Sequence, residues 1–204
     1  MGMTDSEAAA IVRFGYEAGH LKQSARTGWW RAGIKEPESV AEHSWRTAVL
    51  AYVIALAEGA DAERAATIGV FHDLAETRTG DIEYVARRYV TAAADEAIAA
   101  DQVRELPPAL SEAYLSVVRQ AEKAATPEAV CARDADKLEC LLQAREYQRQ
   151  GYAEAQTWAD NMAEAVRTET GRALARAAMS TEPGDWWREV AAMHTAASRR
   201  PEAT

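Results

Sequence analysis

The chain has 204 residues, 48% of them apolar and 27% charged, which is enough for one well-filled core and too little for two. A net charge of −9 argues against a nucleic-acid polymer as partner, although a local cluster of metal and Arg can still draw in one small anion. No apolar run approaches the roughly 20 residues that span a bilayer, and the N-terminus lacks the basic-then-apolar pattern of a signal peptide.

Alanine is abundant and β-branched runs are few, which predicts an all-α chain. Thr4 with Glu7 reads as a capping box for a first helix reaching about His20. Residues 21–38 are irregular, with Gly28, Gly33 and Pro37. They carry Arg26, Trp29, Trp30, Arg31 and Lys35. The tryptophans can pack as a lid on the core. Alternatively, Arg and Trp together form a clamp, guanidinium for phosphate and indole for a flat ring.

Pro37 to Trp45 opens the next helix, where Val40, His43, Ala48, Val49, Tyr52, Val53 and Leu56 fall at helical spacing until Gly59. Asp61 caps a helix that carries Ile68, Phe71, His72 and Leu74. Glu76 lies four residues after His72 and three after Asp73, on their face. Gly80 breaks this helix, with Asp81 just beyond it.

Helices are expected over about 91–105, 109–124 and 127–151. Pro107-Pro108 divides the first two, and Thr126-Pro127 starts the third. Leu138, Leu141 and Leu142 give that third helix its core stripe, and Asp136 lies beside it. A carboxylate so placed is costly to bury without a cation, either a metal or a nearby Arg or Lys. Cys131 and Cys140 stand about 13 Å apart along the same helix, too far for a disulfide. They read as reduced and buried, hence a cytoplasmic chain. A long helix over 154–179 and a last one from Trp186 to about 197 complete the chain, before a tail over 198–204 expected to be disordered.

Three helices thus present His43, His72-Asp73 and Asp136. This N₂O₂ set suits one divalent metal and leaves room for water and substrate. Such an ion lowers the pKa of its water and polarises a substrate oxygen. Arg26, Arg31 and Lys35 nearby suggest that this oxygen belongs to a phosphate.

The order H…HD…D resembles the HD-domain metal-dependent phosphohydrolase superfamily. Closer resemblance lies in Arg26-Thr27-Gly28-Trp29, Pro37 to Ser44, His72 to Glu76 with Thr79 to Ile82, Asp136 to Glu139 and Gln143 to Tyr147. These stretches look like the bacterial 5′-deoxynucleotidases and their eukaryotic HD-domain-containing relatives over roughly residues 8–150. The resemblance implies one all-α HD-domain helical bundle over 1–204. Its metal-site core lies at about 8–150 and its C-terminal helices at 154–197.

By resemblance, His43, His72, Asp73 and Asp136 match metal ligands and Glu76 the acid that handles the attacking water. Asp81 matches a catalytic residue near the sugar, and Arg26 a phosphate-binding Arg. Trp29 is a candidate for crowding the 2′ position, although Thr27 and Gly28 separate it from Arg26 where the bacterial enzymes have the two adjacent. The implied reaction is hydrolysis of deoxynucleoside 5′-monophosphates with Co²⁺ or Mn²⁺, or else Mg²⁺, Fe²⁺, Zn²⁺ or Ni²⁺, in a homodimer. The alternatives are a dNTP triphosphohydrolase, a hydrolase of a modified nucleotide and a non-catalytic nucleotide-binding protein. A guanosine-tetraphosphate hydrolase fits less well, because Thr77 stands where those enzymes have a second acidic residue.

Overall fold

The computed structural model describes residues 2–198. It is all-α, with ten α-helices and no strand among the described residues. The first helix, α1 (Asp5–Gly19), begins at the expected Thr4–Glu7 capping box. The stretch after it is tied down by two 3-10 turns, His20–Lys22 and Thr27–Ala32. The Arg26 N–H also donates to the Glu38 carbonyl (3.0 Å).

A second capping box, Ser39 with Glu42, starts α2 (Val40–Glu58). Gly59 ends it at φ 74°, a left-handed turn that glycine adopts without a Cβ penalty. Asp61 caps α3 (Ala62–Phe71). The chain then tightens through His72–Ala75 into the short α4 (Glu76–Thr79), with Leu74 and Glu76 donating to carbonyls three residues back. Gly80 leaves α4 at φ 69°.

Residues 80–94 hold only one 3-10 turn, Ala86–Arg88. The helix expected over 91–105 is shorter than its pattern: α5 covers Asp95–Gln102. The remaining helices are α6 (Pro108–Lys123), α7 (Pro127–Arg149), α8 (Gln156–Ala165), α9 (Glu169–Ser180) and α10 (Asp185–Ser198). The expectation for the tail beyond 198 lies outside the described residues.

α2, α3 and α7 form the centre of the molecule. Ala51, Ile54, Ala65, Ile68, Leu138 and Leu141 make its apolar core. α2 and α3 cross closely because Gly69 has no side chain: a Cβ there would lie 2.8 Å from the Ala48 Cα. Of the helically spaced residues on α2, Val40, His43 and Ala48 turn inward, while Val49, Tyr52, Val53 and Leu56 are exposed.

The long helix expected over 154–179 is broken. Residues 166–168 leave helical geometry between α8 and α9, and the cause is a side chain on another helix. Asp134, buried on α7, accepts the N–H groups of Arg167 (2.9 Å) and Thr168 (2.7 Å). Those donors are then satisfied without continuing the helix, and Thr168 caps α9.

Candidate metal centre

The centre of the fold brings ligand atoms from three segments together: His43 on α2, His72-Asp73 after α3, and Asp136 on α7 beside the two histidines. From His43 Nε2 on α2, His72 Nε2 is 3.3 Å away, Asp136 Oδ1 on α7 is 3.2 Å and Asp73 Oδ2 is 3.6 Å. His72 Nε2 lies 3.1 Å from Asp73 Oδ2 and 3.9 Å from Asp136 Oδ1. Atoms placed tetrahedrally at about 2.1 Å from one centre are about 3.4 Å apart, and His43 Nε2, His72 Nε2 and Asp73 Oδ2 lie close to that spacing from one another.

Both histidines are fixed by their other nitrogen. His43 Nδ1 meets Glu139 Oε2 at 2.5 Å, and His72 Nδ1 meets the Gly69 carbonyl at 2.8 Å. Each Nδ1 partner is an acceptor, so the proton belongs on Nδ1 and the lone pair on Nε2, aimed at the common point. Glu139 is fully buried and is held in turn by Arg46, whose Nε donates to Oε1 at 2.9 Å. Arg46 also reaches Glu146 (2.8 Å) and Gln143 (2.7 Å).

The electrostatics agree with a missing positive charge. Burial presses the His43 imidazolium down and Arg26 adds to that, but hydrogen bonds to Asp136 and Glu139 outweigh both and hold it at about 10. Asp73 and Asp136 are burdened by burial yet driven well below the usual carboxylate range by the histidines and Arg26. The carboxylates around the two imidazoles favour positive charge at this point. A divalent ion competes for the same lone pairs, so binding it releases protons.

Glu76 points to the same conclusion. Its Oε2 is buried and has no hydrogen-bond partner. Burial first, then repulsion from Asp73 and Asp81, pushes its carboxyl up to about 9. Glu76 lines the same cavity as His72 and Asp73. The donor set therefore fits one divalent metal held by His43, His72, Asp73 and Asp136.

Three cavities open on this centre. The first, about 180 Å³, touches His72 and Asp136 beside Asp95 and Glu122. The second, about 400 Å³, lies over His72, Asp73 and Glu76. The third, about 290 Å³, runs from Arg26 and Asp136 to Tyr84, Trp158 and Met162.

Arg26 Nη1 lies 3.4 Å from Asp73 Oδ2 and 3.9 Å from Asp81 Oδ1. The other two cations of this loop are not brought in. Arg31 pairs with Glu83 at 2.8 Å, and Lys35 is exposed and lines none of these cavities. Asp81 Oδ2 accepts the Thr27 N–H at 2.6 Å, which latches the Arg26 turn onto the exit from α4. Trp29 is 2% exposed. Its indole N–H donates to Glu38 Oε1 at 3.0 Å, and its rings pack on Tyr147 and Trp158. The lid role suggested for one Trp thus belongs to Trp29, which also lines part of the third cavity, whereas Trp30 is largely exposed.

Glu139 and Arg46 have no role in the sequence reading. The signal for Glu139 was its place three residues after Asp136, on the same helical face beside Leu138.

Taken together, the fold gathers candidate metal ligands with one guanidinium and one partnerless carboxyl oxygen beside them. Comparison with known proteins agrees. The family model described as HD domain matches residues 18–178. The chain is 33% identical over 170 residues to the 5′-deoxynucleotidase hdd1 of Schizosaccharomyces pombe, covering 78% of this chain and 85% of that protein. It is 30% identical to the human 5′-deoxynucleotidase HDDC2, covering 69% of this chain and 70% of that one. Among solved structures, the PH0347 protein from Pyrococcus horikoshii superposes with a TM-score of 0.67 at 30% identity, covering 83% of this chain and 96% of that one. The chain belongs to the HD-domain family.

Proposed function

We infer that the chain is a metal-dependent phosphohydrolase that cleaves deoxynucleoside 5′-monophosphates to deoxynucleoside and orthophosphate. The observation that carries this reading is the grouping of His43, His72, Asp73 and Asp136, with the Arg26 guanidinium 3.4 Å from Asp73 and the partnerless Glu76 Oε2 in the cavity over His72 and Asp73. The similarity to 5′-deoxynucleotidases supplies the substrate class.

When bound, a divalent ion supplies Lewis-acid activation of water and of a phosphate oxygen, and its charge relieves the repulsion on Glu76. Arg26 neutralises a second phosphate oxygen. Glu76 takes the proton of the attacking water through the oxygen that has no other partner. Water adds to phosphorus, the P–O5′ bond breaks with its electron pair going to O5′, and the proton taken up by Glu76 is returned to that oxygen. Asp81 keeps Arg26 in place through Thr27, with Oδ1 available to a sugar hydroxyl. Trp29 supports the pocket wall near the sugar. Of the three cations named on this loop, Arg26 is the one at the centre.

The ion is Co²⁺ or Mn²⁺ by resemblance, and the donor set also accepts Zn²⁺, Fe²⁺, Ni²⁺ or Mg²⁺. Both cysteines are free and buried, which supports a reducing compartment, the cytoplasm. Among the described residues no helix is long and apolar enough to cross a membrane. The uncharged outer face of α2 supports a homodimer.

The test is phosphate release from ribo- and deoxynucleoside mono-, di- and triphosphates by protein stripped of metal and reloaded with each ion. Orthophosphate from deoxynucleoside monophosphates, lost in Asp73→Ala and Glu76→Ala, is expected. Inorganic triphosphate from dNTPs would move the cut and overturn the substrate assignment.

A further inference from the structure

Only one of the three cavities at the metal centre is built for a flat ring. The first and second have no Trp, Tyr or Phe in their linings. The third has Trp29, Tyr84 and Trp158, with Met162 beside them. It also has Arg26 and Asp136 of the metal centre, with Asp81, Glu83, Arg87 and Lys137, so one cavity offers charged groups and aromatic surface together. A volume of about 290 Å³ is at the lower bound of small-ligand pockets.

The aromatic surface is unequally held. Trp158 is half-buried, one side against Trp29 with ring centroids 5.6 Å apart and another meeting Tyr84 edge-on at 6.4 Å. Its indole N–H makes no hydrogen bond among the described residues. Tyr84 lies on the irregular segment 80–94 and is 68% exposed. Gly28 forms the wall between them: a Cβ there would lie 3.7 Å from Trp158 Nε1 and 4.0 Å from Glu83 Cβ. Its backbone is not left-handed, so a larger side chain is tolerated by the main chain and extends into the cavity.

We propose that the nucleobase of the substrate lies in this third cavity, against Tyr84 and Trp158, with the phosphate at Arg26. This rests on the nucleotide-hydrolase reading above and adds the base subsite to it. Aromatic faces stack on any base, so the site holds the ring without choosing its identity. The free Trp158 N–H offers one donor to an acceptor on the base edge.

The test uses binding, in a Glu76→Gln background that stops turnover, with Mn²⁺ present. Calorimetry would compare dAMP, dTMP and 2-deoxyribose 5-phosphate. Tyr84→Ala removes an exposed ring and Gly28→Leu fills the cavity, and neither depends on repacking Trp158. Both are expected to weaken dAMP and dTMP about tenfold or more and to leave deoxyribose 5-phosphate unchanged. Equal losses for the base-free ester would mean the variants disturb the phosphate site, and would overturn the assignment. Unchanged nucleotide binding in both variants, with wild-type protein still hydrolysing dAMP, would overturn the base subsite alone. Failure of wild-type protein to hydrolyse or bind any deoxynucleotide would remove the parent reading, and this one with it.

Discussion

At the scale of single residues, Glu139 is the group whose function is most separable from the ligands. One of its oxygens meets His43 Nδ1 and the other receives Arg46. A Gln in its place has one oxygen and one amide nitrogen. It must therefore turn a donor toward either His43 N–H or the Arg46 guanidinium, neither of which accepts. Glu139→Gln is expected to lower metal affinity about 10–100-fold, measured by competition with a chromophoric chelator, with helical content unchanged. Unchanged affinity would show that Gly69, Asp73 and Asp136 alone set the site. Glu76→Gln should behave oppositely. It keeps the shape of a side chain whose buried oxygen has no partner, so metal content should hold while turnover falls about 10²–10⁴-fold.

The contrast explains what could be read from sequence. His43, His72, Asp73 and Asp136 are legible because ligand chemistry limits the residue types and helical spacing limits their direction. Glu139 and Arg46 act through contacts over 90 residues apart, so the spacing of Glu139 from Asp136 shows its face but not its partners. Trp29 was legible as a residue and ambiguous in role, because burial and ring stacking use the same surface.

At the scale of elements, the short α4 is too small to hold its own shape and depends on neighbours. Glu17 on α1 accepts from Arg78 at 2.6 Å and from Thr77 at 3.1 Å, both on α4. Gln102 on α5 donates to Glu17, to the Thr77 hydroxyl and to the Leu74 carbonyl, and its own oxygen receives Tyr114. This network fixes the turn that carries Glu76. The Arg78 hydrogen bond lowers the Glu17 carboxyl in the folded chain, against the opposing effect of burial. A depressed folded value means that the stabilisation is complete above the unfolded value near 4.5 and is lost as pH falls through the folded one. The melting temperature of Glu17→Gln should therefore lie below that of wild type at pH 7, and the gap should close as the pH is lowered below 4.5. A gap that is constant with pH would show that Glu17 contributes by packing and not by charge.

The break between α8 and α9 makes a second test at this scale. A Cβ on Gly171 would lie 2.7 Å from Asp134 Oδ2. Gly171→Ala must push away the carboxylate that holds the Arg167 and Thr168 N–H groups, at a cost of about 1–3 kcal/mol in denaturant unfolding. The local signals for this break, the Thr168 cap and Gly171, lie inside an apolar pattern that does not stop for them. Apolar spacing runs through residues 158–174, and the interruption comes from Asp134 on α7. Most other helix boundaries were legible, because Thr4, Ser39, Asp61, Thr126, Gly59 and Gly80 are caps or breakers whose chemistry is local.

At the scale of the whole molecule, α2 serves two faces. Its inner face supplies His43 and packs on α3 and α7. Its outer face exposes Trp45, Val49, Tyr52, Val53 and Leu56, and the sequence from Thr47 to Ala57 contains no charged residue. Periodicity alone could not assign these faces, because the helix is apolar around most of its circumference and the spacing fits either direction. Water leaves such a stripe unstable when exposed, and a two-fold axis lets one stripe cover its own copy. Val49→Glu with Leu56→Glu places four like charges across such an interface in a dimer. Wild-type protein is expected to sediment as a dimer and the double variant as a monomer with its metal affinity intact, since neither residue contacts the ligands. A monomeric wild type at micromolar concentration would remove the dimer. A dimer that survives both glutamates would move the interface elsewhere. The exposed Trp186, Val190 and Met193 of α10 then become its next place to test.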